Sequence, residues 1–105
     1  MILTTTDTIQ GKEIHTYLGI VSATVYSGSY NSKGLSFRDK LNTEKTYESF
    51  ENGLEAAKEE AFIKLKANAQ AMQANAIVGI TVDVEAMSQT NITTVSVMGT
   101  AVGLR

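Results

Sequence analysis

The sequence contains no cysteine and no proline, and its single histidine is His15. The lack of cysteine excludes disulfide bonds, thiolate metal ligands and a thiol nucleophile. A typical structural zinc site takes four cysteine or histidine ligands, so one copy of this chain cannot build one. The other soft ligands are the thioethers of four methionines, which we interpret as core, gap-filling or chain-end residues.

An excess of either charge is also lacking, since nine basic and eleven acidic side chains give a net charge of -2. No basic stripe is present to follow a phosphate backbone, so we expect no nucleic-acid partner. No apolar run approaches the roughly 20 residues of a membrane helix, and the N-terminus lacks the pattern of a signal peptide. At 105 residues the chain is expected to be one domain, residues 1–105, in the cytoplasm and without a membrane partner.

The clearest element present is a helix that starts near Tyr47. Its apolar residues recur every three or four positions and therefore share one face. They are Tyr47, Phe50, Leu54, Ala57, Ala61, Leu65, Ala69 and Met72. The polar stretch 31–46 before it predicts a loop with one short helical turn at Phe37–Leu41. Phe62 and Ile63 lie off the apolar face, where they either cap the edge of the core or meet a neighbouring subunit.

Four stretches have the β-branched or alternating pattern of strands. They are Ile2–Thr6, Ile14–Tyr30, Ala76–Glu85 and Ile92–Val102. Gly19 and Gly28 predict a bulge or bend in the long second stretch. In the third, strict alternation places one set of residues on one face and a second set on the other. The first set is Val78, Ile80, Val82 and Val84, and the second is Gly79, Thr81, Asp83 and Glu85.

The order β-β-α-β-β predicts an α+β fold with one main helix packed on a mostly antiparallel sheet. The threonines Thr4, Thr5 and Thr6 favour a strand, yet a small sheet offers this strand no obvious partner. It is therefore either a frayed terminus or an edge that pairs with a neighbouring chain.

The segments "TTT", "YLGIVS", "ANAIVGITVDVE" and "VMGTAV", in this order over nearly the whole chain, resemble the bacterial YbjQ family. That family is uncharacterised and carries the label "putative heavy-metal-binding". The resemblance implies a dodecin-like subunit and a cyclic homo-oligomer, specifically a pentamer, in which short strands join neighbours. It also favours an interface role for Thr4, Thr5 and Thr6. It implies no established reaction.

Two departures from the family bear on function and on the helix end. The stretch "LNTEKTYES" stands where the family carries Gly-Gly-Arg, which removes the basis for an anion-binding loop. Gln73 stands where the family closes the helix with glycine. Asn75 is then the expected left-handed residue, because asparagine tolerates that conformation.

Asp83 and Glu85 are the main candidates for chemistry. Two residues apart on a strand, they share a face and lie about 7 Å apart. With hydroxyls and waters they could hold a hard divalent cation, although the favoured interpretation is a solvated strand face. His15 is a further candidate ligand, but its neighbours suggest an exposed strand residue.

The sequence has neither a G-x-S-x-G elbow nor a phosphate-binding loop, and we expect no cofactor. The leading hypothesis is a homo-oligomeric ring-forming protein that binds or scaffolds and is not an enzyme. The alternative is a metal-binding protein that uses inter-subunit carboxylates from Asp83 and Glu85. A small-molecule hydrolase comes third. The expected interface residues are Thr4, Thr5, Thr6, Phe62 and Ile63.

Overall fold

The computed structural model describes residues 1–27, 43–87 and 92–105, and the side-chain surroundings at 1–26, 53–86 and 92–105. Its elements are β1 (Ile2–Leu3), β2 (Ile14–Ser27), α1 (Thr43–Ala71), β3 (Ala76–Met87) and β4 (Ile92–Leu104). The predicted β-β-α-β-β order is confirmed. The turn expected at Phe37–Leu41 and the bend expected at Gly28 lie outside the described residues.

The strands form one four-stranded sheet in the order β1-β3-β4-β2. The pairs β3–β4 and β4–β2 are antiparallel, and only the short pair β1–β3 is parallel. A mostly antiparallel sheet is therefore confirmed. Helix α1 covers one face and lies mainly over β2 and β4, with the least contact to β3.

Helix α1 begins at Thr43, four residues before the expected start, so the prediction of a loop over 43–46 is wrong. No proline or glycine interrupts residues 43–52. An acidic residue in the first turn, Glu44, also favours a helix start here, because a negative charge is favourable near the positive end of the helix dipole. The surroundings of Tyr47 and Phe50 lie outside the described side chains. Further along, the predicted face is confirmed by four fully buried residues: Ala57, Ala61, Leu65 and Ala69.

The end of α1 differs from the expectation. Gln73, with φ of 64°, is the left-handed residue, so the prediction for Asn75 is wrong. Ala74 N donates to Ala69 O at 3.1 Å and Gln73 N to Gln70 O at 2.9 Å, the two hydrogen bonds of a Schellman motif. Asn75 instead ties β4 to this turn, since its side-chain Oδ1 accepts from Leu104 N at 2.7 Å.

A bulge at Gly79 corrects the predicted alternation in β3. Val78 lies opposite Thr100 and Thr81 opposite Met98, so Gly79 and Ile80 together face one residue of β4. Gly79 has φ of 62°, which favours glycine. Val78 consequently packs on the face away from the helix, whereas Ile80 packs beneath it.

After this bulge the prediction holds. Val82 and Val84 lie opposite Val97 and Val95, which belong to the core under the helix. The register of β2 also shifts beside Gly19, which confirms the bulge expected there.

The threonine-rich start has a partner within its own chain, so the premise that none was available is wrong. Thr4 N donates to Ile77 O at 3.0 Å, Ile80 N donates to Thr4 O at 3.1 Å and Gly79 N donates to Thr6 O at 2.8 Å. The strand assigned here, Ile2–Leu3, is shorter than the predicted Ile2–Thr6. A contact of these threonines with another chain stays a prediction.

No helix in the described part of the chain combines the length and the apolar character that crossing a membrane requires.

Candidate functional site

The candidate site is the exposed part of the sheet face turned away from α1, which we call the open face; Ala76, Val78 and Val102 on the same side are buried and lie outside it. Alternation along the strands buries one set of residues under the helix and turns the other set outward. The outward set is Tyr17, Ile20, Ser22, Thr24 and Tyr26 of β2, Thr81, Asp83 and Glu85 of β3, and Thr94, Ser96, Met98 and Thr100 of β4.

Large apolar side chains lie on this face without cover in the described structure. Ile20 is 76% exposed, Tyr17 71%, Tyr26 67% and Met98 50%. Ser22 and Thr81 flank Met98 across the sheet. Single exposed apolar residues are common, but several on one flat sheet face are typical of a contact surface.

The end of the open face that contains residues 24–26, 83–85 and 94–96 is polar. Thr24, Ser96 and Asp83 lie side by side across three strands, and Thr24 Oγ1 is 3.3 Å from Ser96 Oγ. The next row contains Tyr26, Thr94 and Glu85. Thr94 Oγ1 is buried and has no hydrogen-bond partner among the described atoms. The carboxylates therefore lie beside hydroxyl oxygens, which suit a hard cation better than a soft one.

Asp83 and Glu85 share this face, as predicted, and both are exposed. His15 does not join them. It lies next to Ile14, which pairs with Leu104, whereas Asp83 pairs with Ser96. Eight residues of strand separate these positions, roughly 27 Å. Within residues 1–27, 43–87 and 92–105 no three His, Cys, Asp or Glu side chains form a possible metal cluster.

The other predicted interface residues divide between core and surface. Phe62 packs against the core, so it caps the core edge, which was one of its two expected roles. Ile63 is 64% exposed on the helix surface. Near the N-terminus, Thr6 Oγ1 donates to Thr8 O at 2.7 Å and lies 2.7 Å from Thr4 Oγ1, while Thr5 is exposed.

Sequence reasoning missed the apolar part of the open face. Ile20 and Tyr17 belong to a strand whose register shifts between them, at the bulge next to Gly19. Simple alternation places residues 17 and 20 on opposite faces, whereas the bulge brings both to the open face. The glycine was the available signal, but its effect on neighbouring residues needs the register.

Known proteins of similar sequence align with most of this chain. A UPF0145 protein of Clostridium kluyveri is 40% identical over 103 residues, which are 97% of this chain and 97% of that protein. A UPF0145 protein of Trichodesmium erythraeum is 42% identical over 85 residues, 79% of this chain and 77% of that protein.

Among solved structures, a protein of unknown function from Pediococcus pentosaceus, assigned to the DUF74 family, superposes with a TM-score of 0.69. The superposition covers 100% of this chain and 98% of that chain at 21% identity, which shows a common fold. A family model matches residues 1–105 under the description "Putative heavy-metal-binding". With this match and the relatives at about 40% identity, the chain belongs to the YbjQ family.

Proposed function

We propose that this chain is a homo-oligomeric ring-forming protein that binds or scaffolds and does not catalyse a reaction. The open face is the observation that carries this proposal. A sheet in a small domain is normally covered on any strongly apolar face, and here Ile20, Tyr17 and Met98 are covered by no described element. Further copies of the chain supply the missing layer.

The arrangement of polar groups favours binding over catalysis. Nucleophilic catalysis requires a nucleophile and a base within hydrogen-bond reach. The hydroxyls of Thr24 and Ser96 lie in rows on an open strand surface, and His15 lies roughly 27 Å along the sheet from Asp83. A flat surface of this kind suits contact with a second macromolecular surface.

A closed ring accounts for such contacts without leaving an exposed end. Identical chains that meet head to tail form either a ring or an open fibre, depending on whether the rotation closes. The pentamer implied by the family resemblance is the specific form of this proposal.

Light scattering on the purified full chain tests the proposal. We expect a mass that is a fixed multiple of 11.3 kDa over a range of protein concentrations. Ile20→Glu should weaken the assembly because it places a charge on the open face, whereas Ala56→Glu, at an exposed position of α1 outside the expected interface, should not. A mass of 11.3 kDa for the unmodified chain at all concentrations would overturn the proposal.

The family description favours metal binding as a second candidate function, and the ligands that this chain offers for it are carboxylates contributed by several subunits. Asp83 and Glu85 lie beside the hydroxyls of Ser96 and Thr94, and the symmetry of a ring would bring several such groups together. The expected ion is a hard divalent cation, because carboxylate and hydroxyl oxygens dominate this end of the face.

Calorimetric titration with Ca²⁺ and Mn²⁺ tests this second function. We expect saturable binding that is lost in the double variant Asp83→Ala plus Glu85→Ala and retained in His15→Ala. No saturable heat in the assembled protein, or equal binding by the double variant, would contradict it.

A further inference from the structure

We propose that a groove in the N-terminal segment binds a primary ammonium group carried on a short apolar chain. This inference goes beyond the proposed function, because it concerns a small ligand and needs only one copy of the chain. It is carried by an open groove of about 510 Å³ and by the direction of the hydrogen bonds among the threonines that line it.

The groove lies in the segment that leads from β1, at one edge of the sheet, to β2 at the other edge. Its lining residues are Ile2, Thr4, Thr6, Thr8, Ile9 and Gln10. Two backbone hydrogen bonds hold one wall on β3, from Thr4 N to Ile77 O and from Gly79 N to Thr6 O. Ile9 holds the other wall, since it packs against the buried cluster of β3 and β4 on the side away from α1. The groove is therefore built onto the sheet.

The hydrogen bonds inside the groove have one direction. Thr6 Oγ1 lies 2.7 Å from Thr8 O, a carbonyl that can only accept, so the Thr6 hydroxyl donates to it. Thr6 Oγ1 also lies 2.7 Å from Thr4 Oγ1. Because the single hydroxyl hydrogen of Thr6 is already used, Thr4 is the donor in this second contact. Both hydroxyl hydrogens are thus used within the segment.

The remaining capacity of these two hydroxyl oxygens is to accept. A threonine hydroxyl oxygen has two lone pairs. Thr4 Oγ1 accepts from Thr6 N at 3.1 Å, and Thr6 Oγ1 accepts from Thr4 Oγ1, so each oxygen keeps one lone pair. The two oxygens are 2.7 Å apart, so one group with several N–H donors can reach both.

An ammonium group matches these acceptors. It has three donors and no acceptor. Two of its hydrogens can go to Thr4 Oγ1 and Thr6 Oγ1, and the third can go to the side-chain oxygen of Thr8 or Gln10, which also line the groove. A carboxylate or phosphate oxygen would instead meet the lone pairs of Thr4 and Thr6 with no hydrogen between them. The groove therefore selects a cation over an anion by the direction of its hydrogen bonds.

Formal charge near the groove does not decide this selectivity. The six lining residues are all uncharged. Asp7 lies between two of them in the sequence, and Lys12 lies two residues after Gln10, so one negative and one positive charge offset each other. Selectivity rests on the threonine oxygens.

The apolar part of the ligand has its own walls. Ile2 is 39% exposed, Ile9 is half-buried, and both side chains line the groove. An alkyl chain placed between them removes apolar surface of both protein and ligand from water, which favours binding. An ammonium ion without an alkyl chain gains only the polar contacts and should bind less tightly.

A series of probes on the unmodified full chain tests the proposal. The probes are butylammonium, n-butanol and pentanoate, which carry the same four-carbon alkyl chain on a cationic, a neutral and an anionic group. Two-dimensional NMR follows the amide signals of residues 2–10 during each titration. We expect butylammonium to shift these signals saturably, n-butanol to bind about tenfold more weakly because its donor is uncharged, and pentanoate to cause no saturable shift.

Two results of this series would overturn the proposal. One is the absence of a saturable shift with butylammonium. The other is a shift of the same amide signals by pentanoate at equal or lower concentrations. Neither result depends on a variant that has to fold.

A matched pair of variants tests the threonine oxygens. Thr6→Val keeps the shape of the side chain but removes one acceptor and the partner of Thr4, so the dissociation constant of butylammonium should rise about fivefold or more. Thr5→Val is the control, since Thr5 is exposed and does not line the groove, and it should bind like the unmodified chain. Circular dichroism verifies that each variant is folded. Equal affinity of Thr6→Val and the unmodified chain would show that these oxygens do not hold the ammonium group, and the proposal would be wrong.

Discussion

The two faces of the sheet come from the same three long strands, yet one is a packed core and the other is open. Under α1, Val21, Val95 and Val97 are at most 3% exposed, while Ile20 on the reverse side is 76% exposed. The difference arises because α1 packs its alanine-rich face on β2 and β4 from one side only. Apolar character alone therefore does not determine burial here; cover by another element does, from α1 on one face and from Ile9 of the N-terminal segment, which packs with Val78 and Val102, on part of the other.

The largest expected effect separates the two faces directly. Leu65→Ala removes a fully buried side chain between helix and sheet and should cost about 2–5 kcal/mol of unfolding free energy in urea melts. Ile20→Ala should cost less than about 1 kcal/mol at low protein concentration, because Ile20 is exposed in a single copy. If the cost of Ile20→Ala rises with protein concentration, assembly covers the open face. If Leu65→Ala and Ile20→Ala cost the same unfolding free energy at every protein concentration, the contrast between the faces is wrong.

A smaller effect is expected at Gly99, which lies opposite the bulge of β3. A Cβ at this position would lie 2.7 Å from Ile77 Cγ2 and 3.0 Å from Val78 O. Gly99→Ala should therefore destabilise the protein by about 1–3 kcal/mol in thermal or urea unfolding. Gly103→Ala is the matched control on β4, since a Cβ there meets Thr16 Cβ at an ordinary 3.6 Å. Comparable losses for the two variants would show that the packing opposite the β3 bulge is looser than described.

The smallest expected effect concerns the turn between α1 and β3, which places the helix on the covered face of the sheet. Gln73 adopts φ of 64°, where glycine is less strained. Gln73→Gly should raise the midpoint of urea unfolding and stabilise the protein by up to about 1 kcal/mol.

Asn75→Gly, two residues later, should instead destabilise the protein, because the side-chain acceptor for Leu104 N is lost. A gain from Asn75→Gly together with a loss from Gln73→Gly would reverse the assignment of the left-handed residue.

Regular patterns were predictable from the sequence, whereas the effect of a bulge on the faces of neighbouring residues was not. The periodic apolar face of α1 and the alternation of β4 identified the core residues Ala57, Leu65 and Val97 correctly. Alternation failed at Gly79, because one extra residue in a bulge inverts the faces before it. The partner of the short strand β1 was equally unpredictable, since Ile2 pairs in parallel with Ala76, more than 70 residues later in the sequence.

The candidate site was predictable in the same limited way. Asp83 and Glu85 were placed on one face correctly because they follow the bulge, where alternation resumes. The distance of His15 from them required the register of all three long strands, which a single sequence does not contain.

The position of β4 has a consequence for the timing of folding during synthesis. Strand β4 is synthesised after all the other described elements, although it lies between β2 and β3, which each pair with it along nearly their whole length. Before β4 emerges, the described sheet has only the pairing of β1 and the threonines after it with the first half of β3. The nascent chain must therefore carry its helix and two long strands that lack β4 as a partner until β4 has been synthesised, and removal of β4 would separate β2 from the rest of the sheet instead of trimming its edge.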